Sequence, residues 1–361
     1  MRPSPDWFSP SYAQARARFL AAAADGLAVS SHPLPLPGAE GEELAMDLAL
    51  LGSGSAASLL IVSSACHGIE GHAGSAAQLA LLGDPRFAAA ALERDVAVLF
   101  LHALNPHGFS WGRRVTAENV DLNRNFLDFA RPLPVNAEYE RLAPLLIPRR
   151  WPPPFANTLA LAAFLVRHGM AAVQAAVSRG QYTDPDGLFF GGRAPTWSNV
   201  TLRRVLREFA STRSRIAWVD VHTGLGRPGD CELILAARHD AATLARARAW
   251  WGAGVTSTED ESSSSPALHG QMWRAVYDEC PQAEYTGIAV ELGTASRLQV
   301  LQALRADQWL ALHPHAPAAL RREIKRRMRS AFLLEDDGWK RNAVERAVAA
   351  VRQALAGLAG R

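Results

Sequence analysis

The stretch SLLIVSSACHGIEGHAG, residues 58–74, joins a nearly continuous apolar run to His67 and then, three residues later, to Glu70. Such an apolar run is typical of a strand that is buried on both faces of a sheet. The small residues that follow have helical spacing, and Gly68 and Gly71 are expected to let the chain turn sharply from strand to helix. On its own, His67-x-x-Glu70 is a weak indication of a metal site, because such pairs often arise by chance.

The alternation of strand and helix continues on both sides of this stretch. A first helix, with Ser9 as N-cap before Pro10, is expected to end at Gly26. Further strand patterns occupy residues 27–34, 44–52, 95–106, 215–224, 231–237 and 286–294, and further helical patterns occupy residues 137–147, 158–178, 198–210 and 240–252. The alternation predicts an α/β fold with a mixed, mostly parallel wound sheet and helices on both faces.

The whole chain, residues 1–361, is expected to form a single domain with two additions to this sheet. Residues 148–197 are a Pro- and Gly-rich helical insertion, which is expected to cover the mouth of any site. Residues 317–359 are predicted to form a helical C-terminal segment without a strand. The polar, serine-rich stretch 256–266 is expected to be mobile.

Composition excludes several classes of protein. Apolar residues make up 48% and charged residues 20% of the 361 positions, as in ordinary soluble globular proteins, and the net charge of +3 is too small to indicate a polyanionic partner. The three cysteines are odd in number and far apart, which argues against a disulfide framework. The N-terminus has no apolar stretch of the signal-peptide type, and the longest apolar runs are too short for a membrane span. We therefore expect a cytoplasmic protein without a membrane partner.

Polar residues follow several of the predicted buried strands, where open α/β sheets bind their ligands. Besides His67 and Glu70 they are Asn105, His222 and Glu291. Two histidines and one carboxylate are the usual protein ligands of a hydrolytic zinc site, whose fourth position is left for water. Glu291 would then be free to act as a base. The alternatives are that His222 is a buried histidine bonded to backbone and Glu291 a paired core carboxylate.

The stretch NPHGFSWGRRVTAENVDLNRNF, residues 105–126, adds groups that bind anions. Arginine can hold a carboxylate through two parallel hydrogen bonds, although a surface salt bridge is the alternative use of these side chains. The order of HGIEG, NPHG, RRV, NVDLNRNF, a strand ending in His222, and ELGT resembles the zinc carboxypeptidase superfamily. Within it, the phrases resemble most a bacterial branch described as a domain of unknown function, related to the succinylglutamate desuccinylase and aspartoacylase branch. The resemblance covers roughly residues 45–130 and 215–295 and implies a phosphorylase/hydrolase-like fold.

The resemblance implies one zinc ion per chain and three protein ligands for it: His67, Glu70 and His222. It implies that Glu291 is the general base and that Arg114 stabilises the oxyanion, with the neighbouring Arg113 as an alternative. On this basis the chain is expected to be a metallocarboxypeptidase-like zinc hydrolase, which cleaves an amide or peptide bond next to a free carboxylate. An N-acyl amino acid amidohydrolase of the desuccinylase or aspartoacylase type is the alternative, and a non-catalytic zinc-binding module is a weaker one.

Other residues receive roles from the same resemblance. Asp121 would orient the first ligand histidine, and Asn123 with Arg124 would hold the terminal carboxylate of a peptide or N-acyl amino acid substrate. Tyr277 and Tyr285 lie in the interval where the carboxypeptidases carry a tyrosine over the site, but no motif selects either of them.

Several conspicuous residues are assigned no role in the site. Cys66, His72 and His102 are expected to be structural, and Asp220 either supports the site or pairs with an arginine. The basic run RREIKRRMR, residues 321–329, is expected to be a solvated helix face and not a nucleic-acid site, since no aromatic residues or binding fold accompany it. We therefore expect no nucleic-acid partner, and the oligomeric state stays open.

Overall fold

A mixed sheet of seven strands forms the centre of the protein, whose computed structural model describes residues 5–24, 26–260 and 262–360. In these residues the strands are β1 (Ala28–Pro37), β2 (Glu43–Leu51), β3 (Ser58–Ser63), β4 (Val96–His102), β5 (Arg215–Leu225), β6 (Cys231–Leu235) and β7 (Glu284–Ala295). They lie in the order β1-β2-β4-β3-β5-β7-β6. The neighbours β4, β3, β5 and β7 are parallel, whereas β1, β2 and β6 add antiparallel edges.

Helices cover both faces of this sheet, which confirms the predicted fold class. The described residues contain thirteen α-helices: α1 (Tyr12–Ala23), α2 (Gly71–Leu82), α3 (Pro85–Glu93), α4 (Pro106–Ser110), α5 (Ala137–Leu146), α6 (Phe155–His168), α7 (Met170–Ser178), α8 (Trp197–Phe209), α9 (Ala241–Trp251), α10 (Arg274–Glu279), α11 (Arg297–Leu312), α12 (Ala318–Phe332) and α13 (Asp337–Ala359). Short 3₁₀ helices are formed by Pro5–Trp7, Gly68–Glu70 and Leu122–Arg124.

The core explains why the apolar runs predicted strands correctly. Every residue of β3 and β4 is buried, as the continuous apolar runs indicated. Helix α2 packs closely on the sheet because its residues are small: a Cβ at Gly74 would lie only 2.7 Å from the Cβ of Ser64. The C-terminal helix α13 packs against α2, α9 and β5. The sheet is therefore held between helix layers, and its strand ends are fixed in position.

Some predicted boundaries are wrong. The first helix begins at Tyr12, and its N-cap is Ser11, whose Oγ accepts a hydrogen bond from the backbone N–H of Gln14, and not Ser9. The predicted helix 158–178 is two helices, α6 and α7, because Gly169 adopts a φ of 80° between them. Helices α3 and α11 were not predicted.

The described residues contain no single helix long and apolar enough to cross a membrane, whereas α6 and α7, bent by 109° at their junction, pass that test only as a pair. The boundaries of the single domain 1–361, the insertion 148–197 and the C-terminal segment 317–359 stay predictions. Residues 1–4, 25 and 361 of that domain lie outside the described residues, as does Glu261 of the predicted mobile loop.

Candidate metal centre and substrate cavity

The predicted ligands lie at the switch point of the sheet. Strand β3 has β4 on one side and β5 on the other. The connection from β3 to β4 therefore runs in one direction across the sheet, and the later connection that leads to β5 runs in the opposite direction. Ligands of open α/β sheets bind in the crevice that such a reversal opens at the carboxyl ends of the strands. His67 and Glu70 follow β3 and His222 lies near the end of β5, so all three reach this crevice.

A close backbone contact shapes the segment between His67 and Glu70. A Cβ at Gly68 would stand only 2.0 Å from the carbonyl carbon of Gly108, and the N–H of Gly68 donates to the carbonyl oxygen of Arg114 at 3.1 Å. Neither Gly68 nor Gly71 has a positive φ. The glycines are therefore needed because the segment that carries Arg114 packs directly on this turn, and not for the sharp turn that the sequence suggested.

Three side chains form the candidate metal centre: His67, Glu70 and His222. They are buried and offer donor atoms within 4.8 Å of one another. Oε2 of Glu70 lies 3.3 Å from Nδ1 of His222 and accepts the backbone N–H of Thr223 at 3.1 Å. Nδ1 of His67 is buried and has no hydrogen-bond partner among the described residues, an arrangement that is costly unless something else satisfies the nitrogen. Two imidazoles and one carboxylate fit a zinc ion.

A second group of donors shares His222 with the first. It consists of Cys66, Asp220 and His222, also buried. A cysteine binds metal as the thiolate, but burial, assisted by the charge of Asp220, raises the pKa of the Cys66 thiol well above its usual range. This second set is therefore less suited to a zinc ion than the first.

Asp220 orients the ring of His222. Its Oδ2 accepts a hydrogen bond from Nε2 of His222 at 2.6 Å, while Oδ1 accepts one from the hydroxyl of Ser63 at 2.5 Å. Burial works to lower the pKa of His222, but Asp220 and Glu70 outweigh it and hold that pKa well above its usual range. The sequence left open whether Asp220 supports the site or pairs with an arginine; its partners are His222 and Ser63.

The guanidinium of Arg114 lies against the candidate ligands. Its nitrogens donate to Oδ2 of Asp121 at 3.0 Å, to Oε1 of Glu70 at 3.0 Å and to Nε2 of His67 at 2.7 Å. Burial, reinforced by the charge of Arg114, lowers the pKa of His67 well below its usual range, so the ring is neutral, as a metal ligand must be. Arg113 points elsewhere, because its Nε donates to Asp307 at 3.1 Å.

Asp121 lies near the ring that it was predicted to orient, but it is bound to other groups. Its Oδ1 is 3.6 Å from Nδ1 of His67, too far for a hydrogen bond, and it accepts the backbone N–H of Asn123 at 3.0 Å. Burial opposes ionisation of Asp121, yet the charges of Arg114 and Arg124 hold the pKa of this carboxyl well below its usual range. Asp121 therefore helps to hold Arg114 and Arg124 in place.

Asn123 and Arg124 line the cavity beside these groups. Oδ1 of Asn123 accepts the backbone N–H of Met272 at 2.8 Å. Arg124 is buried, with Nε and Nη2 both donating to the carbonyl oxygen of Ser178 at the end of α7, and its guanidinium lies 5.6 Å from the ring centre of Phe189. Arg124 thus connects the NVDLNRNF motif to the predicted insertion 148–197. The sequence did not indicate this contact.

Glu291 lies on β7 directly beside His222 of β5 and lines the same cavity. Its Oε1 accepts the backbone N–H of Leu225 at 3.0 Å. Burial, with the charge of Glu70 as the second cause, raises the pKa of Glu291 to about 7. A carboxyl group with a pKa near neutrality can both take up and release a proton at neutral pH.

Apolar side chains form most of the remaining cavity, which encloses about 160 Å³. They come from α7, α11 and strands β5, β6 and β7, and include Met170, Val173, Val177, Leu225, Leu235, Ile288, Val300, Leu301 and Leu304. Arg297, the first residue of α11, also lines the cavity. Sequence reasoning missed Arg297, since no motif surrounds it.

The two tyrosines considered from the sequence are engaged in other contacts. Tyr285 lines the cavity, but it is buried and its hydroxyl donates to the carbonyl oxygen of Ala236 at 2.9 Å. The hydroxyl of Tyr277 accepts the backbone N–H of Arg238 at 3.0 Å. Both rings are therefore fixed in the wall of the sheet and its loops.

Comparison with known proteins gives the family and the fold of the chain. The family model described as "Protein of unknown function (DUF2817)" matches residues 8–346. The chain belongs to the DUF2817 family. This membership confirms the predicted resemblance to a branch of unknown function. No curated protein matches this DUF2817 chain in sequence.

Three solved structures are similar to this chain at very low sequence identity. Bovine thrombin-activatable fibrinolysis inhibitor, in complex with tick carboxypeptidase inhibitor, is 11% identical over 97% of both chains with a TM-score of 0.54. A metallo-carboxypeptidase from Burkholderia cenocepacia is 12% identical over 97% of this chain and 70% of its own (TM-score 0.42), and a succinylglutamate desuccinylase from a Silicibacter species is 15% identical over 80% and 65% (TM-score 0.40). The first of these likenesses shows that the DUF2817 chain has a carboxypeptidase-like fold, as its motifs predicted.

Proposed function

We propose that this protein is a zinc-dependent hydrolase that cleaves an amide or peptide bond next to a free carboxylate, in the manner of a metallocarboxypeptidase. The observation that carries the proposal is the buried set of His67, Glu70 and His222 at the switch point of the sheet, with Glu291 lining the same cavity. The donor atoms suit zinc, because two imidazoles and one carboxylate are the usual protein ligands of a hydrolytic zinc ion. The carboxypeptidase-like fold is consistent with this chemistry but does not establish it.

One ion per chain would be held by these three residues, and it would supply Lewis acidity toward the substrate carbonyl oxygen and the attacking water. The protein residues divide the remaining work. Glu291, whose pKa of about 7 allows both protonation states, would take a proton from the attacking water on Oε2 and return it to the leaving amine. Because Oε1 is already bound to the N–H of Leu225, the carboxylate is held in one orientation.

The arginines would bind the charges of the substrate. Arg114 is positioned by Asp121 and Glu70, so its positive charge is available to the carbonyl oxygen as negative charge develops there. Each terminal nitrogen of Arg124 makes one hydrogen bond to a carbonyl and keeps a second N–H for another acceptor. These groups and the side-chain amide of Asn123 would hold the substrate carboxylate, so that the scissile bond meets the water.

A specific observation favours the second candidate, an N-acyl amino acid amidohydrolase. Helix α7 of the predicted insertion supplies Met170, Val173 and Val177 to the cavity wall, and Phe189 adds to it. A wall on this side leaves less room for a long peptide than an open groove would. The same ligands, base and arginines would then act on a small acylated amino acid.

A substrate screen of the zinc-loaded protein tests both candidates. Peptides with free C-termini and N-acyl amino acids are supplied in parallel, and release of the amine is measured, with Glu291→Gln as the blank. Glu284→Gln is the matched control, since Glu284 lies at the opposite end of the same strand. Turnover that Glu291→Gln abolishes and Glu284→Gln keeps is the expected result. Turnover of no compound by zinc-loaded protein would favour a non-catalytic zinc-binding module and refute the hydrolase.

A further inference from the structure

Helix α6 carries apolar side chains on its outer face as well as its inner one. On the inner face Leu161 is buried, and Phe164 and Leu165 are partly buried in a cluster with α5 and α7. On the outer face Phe155 is 81% exposed, Leu159 58% and Val166 87%. A helix that is apolar on all sides is normally found inside a protein or against lipid, and large exposed apolar patches mark interaction sites.

The exposed residues form one continuous stripe. With 3.6 residues per turn, Phe155, Leu159, Ala162 and Val166 fall within an arc of about 60° and along a length of roughly 16 Å. Arg167 follows Val166 in sequence and is also exposed, so a positive charge borders the stripe at its C-terminal end. This is the pattern of a helix that lies in the plane of a membrane interface, with apolar side chains below and cations at the edge.

The chain segment that contains the stripe carries charges of one sign. Between Glu140 and Asp184 the chain contains no acidic residue but five arginines: Arg141, Arg149, Arg150, Arg167 and Arg179. The arginines at 149, 150 and 167 are exposed, and none of them has a hydrogen bond or ion pair within the described part of the chain. Exposed arginines beside apolar side chains complement the negative headgroups of an anionic lipid surface.

We propose that α6 docks on an anionic lipid surface, with the stripe in the headgroup–acyl boundary and Arg149, Arg150 and Arg167 among the headgroups. A second copy of the chain fits less well, because a two-fold interface would bring the same arginines of both copies together without an acidic residue of the segment between them. This inference replaces the sequence-based expectation of no membrane partner. That expectation considered only spanning segments, whereas docking needs one face of one helix. The inference does not depend on the proposed hydrolase activity.

Vesicle binding of the full chain tests the inference with a matched pair of variants. Leu159→Glu places a charge in the stripe, and Leu92→Glu places the same charge on α3, where the leucine is 57% exposed and equivalent in size. Because both side chains are largely exposed, neither variant should impair folding, which circular dichroism checks. Each protein is sedimented with vesicles of phosphatidylcholine alone and of equal parts phosphatidylcholine and phosphatidylglycerol.

Wild type and Leu92→Glu are expected to bind the anionic vesicles. Leu159→Glu is expected to bind them at least about tenfold more weakly, because it removes a leucine that the lipid would bury and places a negative charge against negative headgroups. Binding should weaken as salt screens the arginines. Equal binding of the two variants, equal binding to neutral vesicles, or no vesicle binding by wild type would each overturn the inference. A dimer in solution that Leu159→Glu dissociates, without vesicle binding, would assign the stripe to a second copy.

Discussion

Replacing Asp220 with asparagine should weaken zinc binding without touching any of the predicted ligands. Asp220 accepts the Nε2–H of His222 at 2.6 Å, which leaves Nδ1 of that ring toward Glu70. Asparagine has nearly the same shape but no charge. If the side-chain amide N–H of the new asparagine faces Nε2 of His222, then Nε2 must accept that hydrogen bond. In the neutral imidazole the proton then lies on Nδ1. The neutral ring then has no lone pair on Nδ1 to offer to a metal.

The size of the effect follows from the role of such partners in metal sites. Removing a hydrogen-bonded partner of a ligand histidine typically costs about 10–100-fold in metal affinity, which is about 1.4–2.7 kcal/mol. Asp220 is only 5% exposed, so water cannot easily replace the lost interaction. The carboxylate also ends a chain of hydrogen bonds in which Nε1 of Trp218 donates to the hydroxyl of Ser63, and that hydroxyl donates to Asp220.

Competition for zinc with a chromophoric chelator measures the affinity directly. Ser63→Ala is the matched control, because it removes the other partner of Asp220 and leaves the bond to His222 intact. Asp220→Asn should lose about 10–100-fold in affinity and Ser63→Ala less than about tenfold. Wild-type affinity in Asp220→Asn, in a protein where His222→Ala weakens binding, would refute the reasoning. Equal losses in the two variants would also refute it, since the effect would then come from the network and not from His222.

Three further predictions concern single residues. Glu291→Gln should keep zinc but lower kcat by about 10²–10⁴-fold in steady-state kinetics, and an unchanged kcat would remove its assignment as base. Burial outweighs the charge of Asp47 and lowers the pKa of His102 from 6.5 to about 4. The unfolded chain therefore binds more protons between these values, and the free energy of unfolding should fall by up to about 3 kcal/mol as the pH drops through that window. Urea titrations should show this slope in wild type and a flatter one in His102→Gln. Gly68→Ala, whose Cβ would meet a backbone carbon at 2.0 Å, should destabilise by about 1–3 kcal/mol in thermal unfolding, whereas Gly54→Ala, with open space around it, should not.

The fold could be predicted from the sequence where local patterns and burial agree. Strands β3 and β4 are buried on both faces, so their apolar runs are continuous and easily recognised. Helix α11 escaped prediction, although Ser296 and Gln299 form a capping box at its start. Its buried residues are consecutive from Ala303 to Leu310 and mix apolar side chains with Arg305, Asp307 and Gln308, so the apolar residues do not form one separate stripe. A pattern search for apolar periodicity cannot detect such a helix.

The candidate site was predictable in position but not in its contacts. Polar residues after buried parallel strands must meet at one edge of the sheet, which is why His67, Glu70 and His222 lie together. Side-chain partners depend on packing between distant segments, so the sequence could not assign Asp220 to His222 or Arg124 to the carbonyl of Ser178. The chemical roles of the site residues remain predictions.

Zinc stoichiometry and affinity of the purified full chain test the central claim most directly. Isothermal titration of the metal-free protein should give one zinc per chain. His67→Ala should weaken binding strongly, while His239→Ala, which removes an exposed histidine bonded to Ser257, should leave it unchanged. Absence of stoichiometric zinc binding, or the same affinity in wild type and His67→Ala, would contradict the account.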